Sequence, residues 1–147
     1  MIKTVITNNF SETQQLGSKL SQNLQNAQII ALYGDLGSGK TTFVQGFAQG
    51  LGIKKKIISP TFIIVRTYEI DFGRKDLRFK NFYHIDLYRI KDEHDIEGLG
   101  LSEIMSDPEN IVAIEWPEKI ENLLPDKRIS ISFEYLDSNG RRISIAR

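Results

Sequence analysis

The sequence predicts an α/β fold, and three of its stretches carry that prediction. An apolar run, Gln28-Ile29-Ile30-Ala31-Leu32-Tyr33, passes into the glycine-rich octamer Gly34-Asp35-Leu36-Gly37-Ser38-Gly39-Lys40-Thr41, and a helical pattern follows with Phe43, Val44, Phe47 and Leu51 on one side. A second fully apolar run, Ile111-Val112-Ala113-Ile114, ends in Glu115-Trp116-Pro117. Short continuous apolar runs mark strands buried on both faces, which need helices to cover them. The carboxy-terminal stretch alternates instead, with Ile129, Ile131, Phe133 and Tyr135 followed by Ile143 and Ile145, as a half-buried hairpin does.

From the amino terminus, Ser11-Glu12-Thr13-Gln14 has capping-box form, and Leu16, Leu20 and Leu24 recur at intervals of four. An amphipathic helix is therefore expected to open the fold. The strand and the octamer come next, then a helix from Thr41 to Leu51, with Gly52 just past it as a left-handed terminal residue. Lys54-Lys55-Lys56 reads as a short solvated loop. Ser59-Pro60-Thr61 introduces a β-branched and aromatic strand, Phe62 to Ile70, and a polar turn around Gly73 leads to a second strand from about Leu77, the pair forming an antiparallel ribbon. Asn81-Phe82-Tyr83-His84-Ile85 runs into Asp86, and Asp92 to Met105 alternates short helical stretches with Gly98 and Gly100. Pro117 suits the first turn of a helix through Leu124, and Asp137-Ser138-Asn139-Gly140 supplies the final hairpin turn.

A length of 147 residues fits a single domain spanning 1–147, and 40% hydrophobic against 26% charged residues is the balance of a soluble globular chain. Lysine plus arginine equals aspartate plus glutamate at 19 each, so the whole chain has no electrostatic drive toward DNA, RNA or an anionic membrane, and any RNA contact would be local. Cysteine is absent and the histidines are His84 and His94 alone, too few for a dedicated zinc site, so magnesium is the metal to expect. The amino terminus lacks the apolar core of a signal peptide and no segment approaches membrane-spanning length, which points to the cytoplasm.

The octamer satisfies the phosphate-binding pattern G-x-x-x-x-G-K-[ST]. Its glycines let the backbone turn tightly so that successive amides point inward, and the following helix adds the positive end of its dipole. Asp35, Leu36, Gly37, Ser38, Gly39, Lys40, Thr41 and Thr42 are the expected nucleotide cradle. Lys40 would reach the terminal phosphates and the Thr41 hydroxyl would take a place on Mg2+. The bland alternative is a glycine-rich turn with a solvated lysine.

An enzyme of this kind needs an acid at the carboxyl end of a neighbouring strand, where a parallel sheet opens toward the phosphates. Glu115 and Asp86 have that placement; either could hold the metal while the other orients the attacking water. Against this, Glu115 also reads as a helix amino-terminal acid, and Asp86 as a turn residue or the partner of Arg89. Thr61, introduced by Pro60, lies where nucleotide switches place a γ-phosphate sensor, although its spacing equally fits a loop threonine. Trp116 suits core or interface packing, and His84 a hydrogen-bonded structural histidine.

Four motifs, Gly34 to Thr42, Ser59-Pro60-Thr61-Phe62, Tyr83-His84-Ile85-Asp86-Leu87-Tyr88-Arg89 and Ile114-Glu115-Trp116-Pro117, together resemble the bacterial TsaE family, formerly YjeE, in order and spacing from about Ser11 to Tyr135. The resemblance implies a P-loop NTPase-like sheet with a parallel centre and antiparallel flanking strands, helices on both faces. It implies a small Mg2+-dependent ATPase required for threonylcarbamoyladenosine modification of tRNA, acting with TsaD and TsaB subunits and meeting tRNA through that complex. On the matching positions Lys40, Thr61, Asp86 and Glu115 are the expected catalytic group, Thr41, Asp86 and Glu115 the metal group, and Trp116 the aromatic beside the nucleotide.

Three other activities remain open at this point. A small-molecule P-loop kinase would need an acceptor pocket and an arginine-rich lid. A GTPase has Asp95-Ile96-Glu97-Gly98 as D-x-x-G in its favour, but no N-K-x-D sequence to read guanine. A nucleotide-gated interaction module would hydrolyse negligibly. Isolated turnover is expected to be slow, since only Arg66 and Arg89 are candidates for an arginine finger in cis.

Overall fold

The computed structural model describes residues 1–58, 64–70, 78–137 and 139–147. Ser59, Pro60, Thr61 and Phe62, the turn around Gly73 and the expected strand start at Leu77 lie outside the described residues. The strands are β1 (Ile2–Thr7), β2 (Ile29–Tyr33), β3 (Val65–Glu69), β4 (Asn81–Asp86), β5 (Asn110–Glu115), β6 (Ile129–Tyr135) and β7 (Arg141–Ala146), and they form one sheet in the order β1-β7-β6-β2-β5-β4-β3. Pairs β6-β2, β2-β5 and β5-β4 are parallel, whereas β1-β7, β7-β6 and β3-β4 are antiparallel. The parallel centre with antiparallel flanks is thus present, and within the described residues the ribbon expected of Phe62 to Ile70 and a strand from about Leu77 corresponds to the β3-β4 pair.

Two helices, α1 (Phe10–Ser21) and α2 (Lys40–Gly50), cover one face. Leu20, Leu24, Phe43, Val44, Phe47 and Leu51 pack there on Ile30, Leu32, Phe82, Ile111, Ala113, Ile131 and Phe133. The two helices meet closely because Gly17 and Gly46 face backbone: a methyl at Gly46 would overlap the Gln14 carbonyl, and one at Gly17 the Phe43 carbonyl. On the other face Ile29, Ile85, Val112 and Ile114 are covered by Leu101 and Met105 of α3 (Leu101–Ser106) and by Ile96 and Ile120 of the 3-10 turns Glu93–Ile96 and Pro117–Leu123. That cover stops short of the flank, where Ser132, Glu134 and Arg142 are exposed and Ile2 and Ile6 face solvent.

Three local expectations change. A strand, β1, precedes the first helix, which therefore does not open the fold. The first helix is capped by Asn9, whose side chain accepts from the Glu12 amide at 2.9 Å, rather than by Ser11. Glu12 Oε2 in turn accepts from the Asn8 amide at 2.7 Å, so the reciprocal capping logic holds a little upstream of its expected position. Finally, Pro117–Leu123 is a 3-10 segment kinked at Ile120 rather than an α-helix, entered from Trp116 in the left-handed conformation at φ 61°.

Candidate functional site

β2 ends at Tyr33 and the chain enters the octamer through Gly34 at φ 151°, with Gly37 and Gly39 at φ 75° and 108°. These are backbone shapes that side chains disfavour, and a Cβ at Gly34 would lie 2.9 Å from the Phe133 carbonyl. The loop closes with the Ser38 amide donating to the Asp35 carbonyl at 3.1 Å. α2 then starts at Lys40 with no side-chain cap and no acid in its first turn, so its leading amides and its dipole are left to a ligand.

The loop, Lys40, Thr41 and Thr42 line a cavity of about 470 Å3 that also includes Phe10, Asp86, Tyr88, Glu115 and Trp116. Ser38 lines it too, and its buried hydroxyl has no hydrogen-bond partner among the described residues. The Lys40 ammonium donates to the Gly34 carbonyl and, at 3.2 Å, to that of Asp35, while lying 4.1 Å from the centre of the Trp116 ring. Burial pulls its pKa below the ordinary lysine value, against the opposing pull of Glu115, Glu118, Asp86 and Asp35.

The parallel register puts Asp86 and Glu115 side by side at the ends of β4 and β5. Alternation along β4 turns Phe82, His84 and Asp86 to the α2 side, the same side as Glu115. Thr41 Oγ1 donates to both Glu115 oxygens at 3.1 and 3.2 Å, and His84 Nε2 lies 2.6 Å from Glu115 Oε2. His84 is fully buried and stacked on Phe82 at 6.4 Å between ring centres. Asp86 accepts from the Tyr88 amide at 3.0 Å, and Tyr88 packs on Trp116 with ring centres 5.2 Å apart.

The structure therefore brings together the loop residues Asp35 to Thr42, the acids Asp86 and Glu115, and Trp116. Asp35 contributes its carbonyl rather than a place in the cavity wall. Neither Arg66 nor Arg89 lines the cavity. Three residues are gained: His84 as a partner of Glu115, and Tyr135 and Arg141, which reach the loop from the last hairpin. His84 carried a weak sequence signal as a polar residue in an apolar strand two positions before Asp86. Tyr135 and Arg141 carried only their place in the final hairpin, a plausible wall of the base pocket, being about a hundred residues from the loop they touch.

Comparison with known proteins identifies the family. Residues 7–143 match the family described as threonylcarbamoyl adenosine biosynthesis protein TsaE. A tRNA threonylcarbamoyladenosine biosynthesis protein TsaE of Rickettsia felis is 40% identical over 96% of this chain and 78% of its own length. The protein of the same name from Aquifex aeolicus is 36% identical over 100% of this chain and 98% of its own. The crystal structure of Bacillus subtilis YdiB superposes with a TM-score of 0.76 at 30% identity, covering 99% of this chain and 86% of that one. The chain belongs to the TsaE family, whose members take part in tRNA threonylcarbamoyladenosine biosynthesis.

Proposed function

We propose that this chain is a Mg2+-dependent ATPase that serves tRNA threonylcarbamoyladenosine formation with a TsaD–TsaB complex. One observation supports this above the others: an uncapped helix start and a glycine loop carrying Lys40 and Thr41 face two carboxylates, Asp86 and Glu115, across one cavity. The residues fit a polyphosphate, since the orphaned Ser38 hydroxyl and the free amides of the α2 start are donors waiting for an anion. They also fit magnesium, which takes oxygen donors and keeps several waters. Among the described residues no group of three or more His, Asp or Glu could hold an ion alone, so phosphate oxygens and water would complete its shell.

When bound, magnesium would neutralise charge gathering on the outer phosphates. Lys40 would leave the carbonyls of Gly34 and Asp35 for the phosphates, and Thr41 would leave Glu115 for the metal. The Thr41 contact favours Glu115 for the metal, with Asp86 next to it for the attacking water. Thr61 is proposed as the γ-phosphate sensor and Trp116 as the aromatic beside the nucleotide. Phe10 and Tyr135, both exposed on the cavity rim, are suited to flank the base.

The test is calorimetry with MgATP, supported by the fluorescence of Trp116, the sole tryptophan, which should change as Lys40 leaves its ring. Hydrolysis should be slow alone and faster with TsaD and TsaB, because Arg141, among the described residues the one arginine lining the cavity, is already bonded to loop carbonyls. That same shortage favours one second reading, a nucleotide-gated module with negligible turnover. Glu115→Ala separates the two: loss of partner activity with the complex still assembled supports the ATPase, and full partner activity supports the module.

A further inference from the structure

The last hairpin grips the phosphate loop by its carbonyls. Tyr135 Oη donates to the Gly37 carbonyl at 2.6 Å. Arg141 Nε donates to the Ser38 carbonyl at 3.0 Å, and Nη2 of the same guanidinium reaches the Gly37 carbonyl at 3.4 Å. Its Nη1 donates to the carbonyls of Gly140 at 2.9 Å and Asp137 at 3.2 Å, so a single side chain ties the hairpin turn to the loop. The guanidinium lies 4.1 Å over the Tyr135 ring, and Arg141 is only 6% exposed.

A trans peptide unit points its carbonyl and its N–H in opposite directions. Holding the Ser38 carbonyl on Arg141 therefore turns the Gly39 N–H to the other side of the peptide plane. Holding the Gly37 carbonyl likewise fixes the Ser38 N–H, which closes the loop on Asp35 at 3.1 Å. The need for such a grip follows from the loop's own composition. Its three glycines have wide conformational freedom, and ordering them at the moment of binding would subtract from affinity. Lys40 cannot keep the loop ordered once a phosphate takes its ammonium from Gly34 and Asp35, whereas the hairpin contacts lie on different carbonyls and survive that exchange.

We infer that Tyr135 and Arg141 are positioning residues that hold the loop in its anion-receiving shape before any ligand arrives. Their effect on affinity rests on the ATP reading above; their effect on loop order does not.

The experiment uses the full chain with Tyr135→Phe, which deletes one hydrogen bond and keeps the ring, and Arg141→Lys, which keeps the charge and loses the planar fork. Hydrogen exchange across Gly34–Thr41 is followed without nucleotide, and MgATP affinity is measured by calorimetry. Loop exchange should quicken about tenfold in each variant, and the Kd for MgATP should rise about tenfold in Arg141→Lys and several-fold in Tyr135→Phe. The Tm of Tyr135→Phe should stay with the unmodified protein, which separates a grip on the loop from a general loss of fold. Unchanged loop exchange in both variants would overturn the grip, and faster exchange with an unchanged Kd would overturn its part in ligand binding. Should the unmodified protein give no heat with MgATP, the ATP reading falls, and the ligand-free exchange still decides whether the hairpin orders the loop.

Discussion

Lys40 is 4% exposed, and burial lowers its pKa although four carboxylates pull the other way. The folded protein therefore holds this proton less readily than the unfolded chain, and the charged form carries a penalty. The penalty is complete below the lowered pKa, shrinks as pH rises from there, and is gone above the ordinary lysine value near 10.4. Lys40→Met should accordingly show a Tm equal to or above that of the unmodified protein at neutral pH. That advantage should fade in a pH series carried through the alkaline range, while MgATP affinity falls roughly 30-fold or more with loss of a charge-assisted contact. His84 acts through a hydrogen bond. Its Nε2, 2.6 Å from Glu115, is among the described residues one of two side-chain donors to that buried carboxylate, the other being Thr41. His84→Leu should cost about 2 kcal/mol in urea denaturation by leaving Glu115 under-bonded, and His84→Gln, which retains an N–H, should recover much of it.

At the level of elements, the glycines of α1 and α2 determine where the phosphate loop ends. Backbone contact at Gly17 and Gly46 brings α2 close to α1, and α2 carries Lys40 and Thr41 on its first turn. Gly46→Ala would press a methyl into the Gln14 carbonyl, which cannot swing aside as a side chain tip can. The expected cost is about 3 kcal/mol from overpacking, and the roughly 1 kcal/mol by which alanine exceeds glycine in a helix does not offset it. Chemical denaturation would show a lower midpoint with an unchanged slope. Sequence reading reached some elements and missed others for identifiable reasons. β2, β5 and the last hairpin were legible because their apolar patterns are unbroken and their ends are marked by glycine or an acid. β1 was not, since Ile2-Lys3-Thr4-Val5-Ile6-Thr7 is mostly exposed and is a strand only because β7 supplies its hydrogen bonds. The form of Pro117–Leu123 was equally hidden, because the left-handed Trp116 that redirects the chain is not a glycine.

Across the whole molecule, stability should be graded along the sheet. β5 is buried at every residue and paired on both sides, whereas β1 is an edge strand with Ile2 and Ile6 in solvent. Native-state hydrogen exchange should therefore open β1 first and β5 only with global unfolding; equal protection of the two would contradict the grading. The acids of the site were readable from where two apolar runs stop, but its assembly was not, because parallel register alone sets Asp86 beside Glu115 and only the folded hairpin brings Arg141 to Ser38. Lys40 is already bonded to its own loop, and Thr41 to Glu115. A ligand arriving there displaces internal partners instead of filling vacancies, so the heat released should be modest for the number of new bonds formed. Once a ligand departs, the same internal pairs, Lys40 with its loop and Thr41 with Glu115, are there to close the site again.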